Sequence, residues 1–157
     1  MSFKHLIKHI LIILCLSIVS GLFYNFFVED GISLVYHSPK FKPGKNLTLE
    51  QAYNLYRQGR ALFIDTRYKE EYQKSHIKNA VNLPFGSSMD DIWYFMQNTT
   101  KEQIIITYCN NPSCNNSRRM AGFLLKRDYK DVYIFLAGFD AWTEHNLPVG
   151  THDKENN

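Results

Sequence analysis

The residues with chemical potential are concentrated in Thr107-Tyr108-Cys109-Asn110-Asn111-Pro112-Ser113-Cys114-Asn115-Asn116-Ser117-Arg118-Arg119. Ile104-Ile105-Ile106, just before them, reads as a buried strand, and Met120 to Leu125, just after, as a helix with an apolar face. Cys109 therefore stands at the carboxyl end of a strand, on a turn that feeds a helix. Open α/β sheets place their chemistry there, because unpaired backbone N–H groups at the helix start converge on the loop. That field favours thiolate over thiol at Cys109 and makes it a better nucleophile. A cysteine beside a buried strand is often only a small core residue. Here turn-forming polar residues follow it at once, so it is expected to face the loop.

Length and composition limit the alternatives. The 157 residues suffice for one ordinary domain. With 18 Lys+Arg against 15 Asp+Glu the net charge is +3, too small and too scattered to indicate nucleic acid. Three cysteines cannot complete a disulfide framework, and Cys15 lies in an apolar segment, which leaves Cys109 and Cys114 as the plausible pair. No metal-ligand spacing accompanies His76, and no metal or cofactor is expected.

The amino terminus reads as an anchor. Residues 1–9 form a basic start with Lys4 and Lys8, and residues 10–28 form a run of 19 without formal charge, close to the thickness of a bilayer's hydrocarbon. A cleaved signal peptide is the competing reading, but no small-x-small site follows and apolar character resumes at Leu22. Lys4 and Lys8 before the span, with Glu29-Asp30 after it, put the amino terminus in the cytoplasm and the domain outside. In a bacterium this is a single pass of the inner membrane with the domain in the periplasm, where a two-cysteine loop meets oxidising conditions. Residues 29–46 read as a linker, 47–150 as the soluble domain and 151–157 as a polar tail.

Within the domain, Thr48 and Gln51 form a capping box for a helix to about Gln58, stopped by Gly59. Ala61 to Ile64 is a buried strand ending at Asp65-Thr66-Arg67, and Tyr68 to Lys74 a short polar helix. Ile77, Val81 and Leu83 alternate with polar residues as if in one strand finishing at Pro84. Ser88 begins another helix, whose Ile92, Trp93, Phe95 and Met96 are expected to cover the sheet. Asp131 to Leu136 is the next strand, followed by a helix with Trp142. Strands alternating with helices imply a parallel sheet between helical layers. Asp65 and Arg67 then share a rim with Cys109, as a local ion pair or as support for the site.

The order of these pieces resembles the rhodanese-like family. The resemblance is carried by Phe63-Ile64-Asp65-Thr66-Arg67, by Glu71 through Pro84 with His76-Ile77 inside it, by Tyr108-Cys109, by Leu136-Ala137-Gly138-Phe139-Asp140-Ala141-Trp142 and by Leu147-Pro148-Val149. It implies an α/β three-layer fold with a central, mostly parallel sheet flanked by helices, here preceded by one transmembrane helix. It also implies a sulfurtransferase in which Cys109 carries sulfane sulfur as a persulfide between a donor and a thiol acceptor; a periplasmic thiol–disulfide or redox protein using Cys109 and Cys114, and a non-catalytic binding module, stand as the alternatives. The loop residues Asn110, Asn111, Ser113, Asn115, Asn116, Ser117 and Arg118 would hold the anionic sulfur, with Asp65, Arg67 and His76 in support.

The sequence departs from the family in three places. Ser75 and Asn79 stand where glycines usually flank His-Ile, and Ala137 replaces the first of a glycine pair. Seven residues separate Cys109 from Ser117, a longer loop than usual. Asn116 replaces an arginine, so Arg118 or Arg119 would have to turn back over the loop. Cys114 is open to three readings: a disulfide partner, a resolving thiol for Cys109, or a coincidental second thiol.

Overall fold

The computed structural model describes residues 3–27 and 44–151. The chain divides between Pro39 and Lys40 into two units. In the first, α1 (Phe3–Phe27) is a helix of 25 residues, longer at about 1.5 Å per residue than the roughly 30 Å of bilayer hydrocarbon. Its segment Lys4–Gly21 is long and apolar enough to cross a membrane, a property that signal sequences share. Most of the expected linker, together with the tail from residue 152, lies outside the described residues.

The second unit runs β1 (Asn46–Leu47), α2 (Leu49–Arg57), β2 (Ala61–Asp65), α3 (Lys69–Lys74), β3 (His76–Ile77), β4 (Val81–Asn82), α4 (Met89–Asn98), β5 (Ile104–Tyr108), α5 (Asn116–Leu125), β6 (Val132–Phe135), α6 (Gly138–Glu144) and β7 (Val149–Gly150). Five strands form a parallel sheet in the order β1-β6-β5-β2-β4, with β5 at its centre and buried along its whole length. The expected α/β fold with a parallel sheet and flanking helices is thus what the chain forms.

The pleat explains why the strands read as continuous apolar runs. Successive side chains point to opposite faces, and here both faces are covered. Phe63, Ile104, Ile106, Tyr133 and Phe135 pack on one side with Ala52 and Leu55 of α2 and with Phe139 and Trp142 of α6. Ile64, Ile105, Val132 and Ile134 pack on the other with Ile92 and Phe95 of α4 and with Met120, Ala121 and Leu124 of α5. Trp142 anchors the first side: its ring meets those of Tyr53, Tyr56, Phe63 and Phe135, and its Nε1 donates to the Pro148 carbonyl at 2.9 Å.

Local signals hold where the chain decides locally. The α2 capping box forms as expected, with Thr48 Oγ1 accepting from the Gln51 N–H at 3.2 Å and Gln51 Oε1 from the Thr48 N–H at 3.0 Å. Ser88 caps α4, but Trp93 is 63% exposed, as are Met89 and Tyr94 to similar degrees, so only part of the expected apolar face covers the sheet.

Two expectations are corrected. The strand read through Ile77, Val81 and Leu83 is two short strands in different sheets: β3 pairs antiparallel with β7, whereas β4 pairs parallel with β2. A turn at Asn79, with φ of 66°, separates them, and the parity break leaves Val81 41% exposed while Ile77 is buried. Asn46, placed in the linker, belongs to edge strand β1, where the Lys45 carbonyl already accepts from the Ile134 N–H at 3.1 Å. Gly150, the last residue of the expected domain, ends β7.

Candidate active site

Strand register assembles the site. Asp65 at the end of β2 lies beside Tyr108 at the end of β5, and Tyr108 beside Phe135 at the end of β6. The residues that follow these three, Arg67, Cys109 and Gly138, are thereby delivered to one rim.

Asp65 is fully buried and Arg67 nearly so, and their ion pair closes at 2.6 Å between Arg67 Nη2 and Asp65 Oδ2. The pair is completed rather than isolated. Arg67 Nε donates to both carboxylate oxygens, its backbone N–H donates to Oδ1, Nη2 donates to the Ser75 carbonyl at 2.8 Å, and Nη1 to Asn110 Oδ1 at 3.3 Å. The Tyr108 hydroxyl donates to Asp65 Oδ2 at 2.7 Å and accepts from the Ile77 N–H at 3.1 Å. The guanidinium also lies 4.0 Å from the centre of the Phe139 ring. Burial works against the charge on Arg67, but hydrogen bonding to Asp65 and its charge outweigh that and leave the pKa above the ordinary arginine value. Tyr108 is pushed well above the ordinary tyrosine value, first by burial and then by the neighbouring Asp65 charge, so it remains a donor.

The start of the cysteine loop is tied to the start of α6. The Phe139 N–H donates to the Cys109 carbonyl at 2.8 Å, and the Asp140 N–H to the Asn110 carbonyl at 3.0 Å. This approach leaves no room for a side chain at residue 138: a Cβ there would meet the Asn110 and Cys109 carbonyl oxygens, and φ is +72°. Gly138 is thus the member of the usual glycine pair that the geometry requires, while Ala137 sits in an ordinary helical conformation. Asn79, in the left-handed region, does the work of the other missing glycine, and Ser75 is extended and supplies its carbonyl to Arg67.

Beyond Asn110 the loop folds on itself. Asn111 Oδ1 accepts from the Ser113 N–H at 3.1 Å, its carbonyl accepts from the Cys114 N–H at 3.1 Å, and its Nδ2 donates to Asp140 Oδ2 at 3.1 Å. This turn returns Cys114 to Cys109, and the two are joined by a disulfide with Cα atoms 6.1 Å apart. Asn115 and Asn116 then open α5, and buried Ser117 is fixed through its carbonyl, which accepts from Thr107 Oγ1 at 3.0 Å. Arg118 does turn back: its Nη1 reaches the Pro112 carbonyl at 3.4 Å and Asn115 Oδ1 at 3.5 Å. Arg119 instead stacks over Phe85.

The expected role of the two loop asparagines changes on these contacts. The side chain of Asn110 is held by Arg67 and by Glu71 Oε1, to which it donates at 2.8 Å, and that of Asn111 by the loop and Asp140, so both shape the loop from within. His76 is buried and stacked 3.9 Å from the Tyr72 ring, with Nδ1 at 2.8 Å from the Tyr72 carbonyl. Tyr72 in turn donates its hydroxyl to the Ala80 carbonyl, so His76 braces the turn between β3 and β4. Cys109 itself is only 4% exposed with the disulfide closed, where an open loop position was expected. The Tyr108 hydroxyl, Glu71 and Asp140 escaped the sequence reading, although the register of Tyr108 on Asp65 is the signal that could have found the first.

Removing one partner of a buried pair leaves the other charge uncompensated. Asp65→Ala is therefore expected to destabilise the domain by about 3–5 kcal/mol, measured by denaturant unfolding of the full chain in detergent. A loss under about 1 kcal/mol would show that the pair does not hold this rim together.

Comparison with known proteins agrees with this architecture. The Rhodanese-like domain family matches residues 48–145. The thiosulfate sulfurtransferase GlpE of Haemophilus influenzae is 32% identical over 109 residues, covering 69% of this chain and 97% of that protein. Its namesake from Coxiella burnetii is 26% identical over 102 residues, covering 65% and 90%. Among solved structures, the BH2092 protein of Bacillus halodurans superposes with a TM-score of 0.59 at 24% identity, over 69% of this chain and 77% of that one, which bears on the fold. With the strand order, the cysteine at the end of the central strand and the matched span in agreement, the chain belongs to the rhodanese-like family of sulfurtransferase-like domains.

Proposed function

We propose that the protein is a sulfurtransferase that carries sulfane sulfur on Cys109. The observation that supports this most is the placement of Cys109 on the carboxyl end of central strand β5, at the head of a loop that leads into α5. The first N–H groups of a helix have no partner within it, so the amino end of α5 offers donors and a positive dipole end to an anionic sulfur. In the first displacement the Cys109 thiolate attacks the outer sulfur of a donor. A bond forms to Sγ of Cys109, and the rest of the donor leaves with the electron pair. In the second, an acceptor thiolate takes that sulfur and Cys109 departs as thiolate, the covalent two-step logic of a nucleophilic enzyme. The disulfide to Cys114 occupies the same Sγ, so its reduction must come first.

The curated relatives named as thiosulfate sulfurtransferases support thiosulfate as a donor to test. Arg118, turned back over the loop, is the guanidinium in position to meet such an anion in place of the arginine that Asn116 replaces.

The disulfide favours one other reading, a thiol–disulfide protein that uses both cysteines. Transfer from thiosulfate to an added thiol, followed in the reduced full chain, separates the two. Cys109→Ser is expected to lower the rate by more than about 10³-fold, as loss of a covalent nucleophile does. Transfer that survives in Cys109→Ser overturns the proposal, and transfer lost equally in Cys109→Ser and Cys114→Ser favours the dithiol reading.

The proposal extends to place. The apolar α1, with Lys4 and Lys8 near its start and Glu29-Asp30 beyond it, supports an anchor that leaves the amino terminus in the cytoplasm and the domain on the far side, in the periplasm of a bacterium. After alkaline carbonate washing, the intact chain is expected in the membrane fraction. A soluble form shortened at its amino end would instead identify a cleaved signal.

A further inference from the structure

We infer that Cys114 is a resolving thiol, and that the loop releases the sulfane sulfur as sulfide when no outside acceptor takes it. This rests on sulfur transfer through Cys109 and adds a second outcome at the same site.

Three observations carry it. Sγ of Cys114 is bonded to Sγ of Cys109, the atom that bears the sulfane sulfur in a persulfide. A Cα separation of 6.1 Å lies within the span that a disulfide bridges without moving the backbone. The second observation is that the loop is shaped by contacts that do not involve sulfur. The carbonyls of Cys109 and Asn110 are held by α6, and the turn at Asn111 is closed by the Ser113 and Cys114 N–H groups and tied to Asp140. Opening the disulfide leaves all of these in place. Cys114 is therefore presented to Cys109 as an intramolecular nucleophile, with the high effective concentration that follows from fixed geometry.

The third observation is an asymmetry of exposure. Cys109 is buried in the closed form, whereas Cys114 is partly exposed on the outer turn of the loop. An incoming thiol therefore meets the Cys114 sulfur first.

The chemistry balances in two steps. The Cys114 thiolate attacks Sγ of the Cys109 persulfide, the Cys109–Cys114 bond forms, and the bond to the outer sulfur breaks. That sulfur leaves with the electron pair as hydrosulfide, whose conjugate acid, hydrogen sulfide, is more acidic than a cysteine thiol, so it is the better leaving group. Sulfane sulfur is reduced to sulfide, and the two thiols are oxidised to the disulfide. A dithiol reductant then attacks the exposed Cys114 sulfur and expels the Cys109 thiolate. Its second thiol displaces Cys114 and takes up the disulfide. Each cycle thus consumes one sulfane sulfur and two electrons from the dithiol.

The test uses the full chain in detergent micelles, reduced, freed of reductant and kept under argon without acceptor thiol. Thiosulfate is added in one arm and inorganic polysulfide in the other, and the peptide carrying residues 109–114 is weighed. In the wild type it is expected to end as the internal disulfide, two hydrogens lighter than the reduced peptide, with about one sulfide per chain freed in the thiosulfate arm. Cys114→Ser and Cys114→Ala are expected to hold one extra sulfur on Cys109 and to free none. A wild-type peptide that keeps the extra sulfur beside a free Cys114 thiol overturns this inference and leaves sulfur transfer standing. If neither Cys114 variant gains sulfur in either arm, sulfur transfer through Cys109 fails, and the resolving role fails with it.

Discussion

A buried ion pair is the constraint that the rest of this domain answers to. Asp65 and Arg67 are both withdrawn from water, and a charge in that position is tolerated only when its hydrogen-bonding capacity is filled. The groups that fill it come from distant parts of the chain. Tyr108 comes from the central strand, the Ser75 carbonyl from the approach to β3, Asn110 from the cysteine loop and the Phe139 ring from α6. Satisfying the two charges therefore fixes how β2, β5, the loop and α6 meet. A pair of this kind contributes little net stability compared with a well-packed apolar substitute. Its consequence lies in geometry, because Tyr108 and Asn110 flank Cys109 and Phe139 supplies the N–H that holds the Cys109 carbonyl.

The two helix starts at this rim divide the work. The amino end of α6 is spent on the protein itself, since its N–H groups receive the carbonyls of Cys109 and Asn110 through the gap left by Gly138. The amino end of α5 follows the cysteine loop directly and has no side-chain cap at Asn115. The backbone of Cys109 is thus held by the start of one helix while its loop leads into another. The length of the loop, seven residues between Cys109 and Ser117, lets a second cysteine fold back within bonding distance. Arg118, two residues past Asn116, reaches back to the Pro112 carbonyl and Asn115 Oδ1.

Much of this is legible in the sequence, and what is not shares a cause. The apolar runs at Ala61 to Ile64, Ile104 to Ile106 and Val132 to Phe135 announce a sheet covered on both faces, and Thr48 with Gln51 announces a helix, because each signal is local. The run at Ile104 to Ile106, with turn-forming residues after it, placed Cys109 correctly at the strand end. By contrast β1, β3, β4 and β7 are two residues long, and strands so short exist because a partner edge accepts them, not because their own pattern demands it. The alternation through Ile77, Val81 and Leu83 misled because Asn79 shifts the parity in mid-run. Asn110 and Asn111 looked like loop ligands for an anion. Their side chains turned out to be claimed by Arg67, Glu71, Asp140 and the loop backbone, partners that lie at least 29 residues away for the first three and so are invisible to local reasoning.

The central claim is that this scaffold presents Cys109 as a stabilised thiolate once the loop is reduced. It is tested most directly by the pH dependence of iodoacetamide alkylation at Cys109, followed by peptide mass in the reduced Cys114→Ser chain. The account predicts a midpoint below the ordinary cysteine range of about 8–9. A midpoint at or above that range would mean that burial of the sulfur outweighs the helix and its donors, and would contradict it.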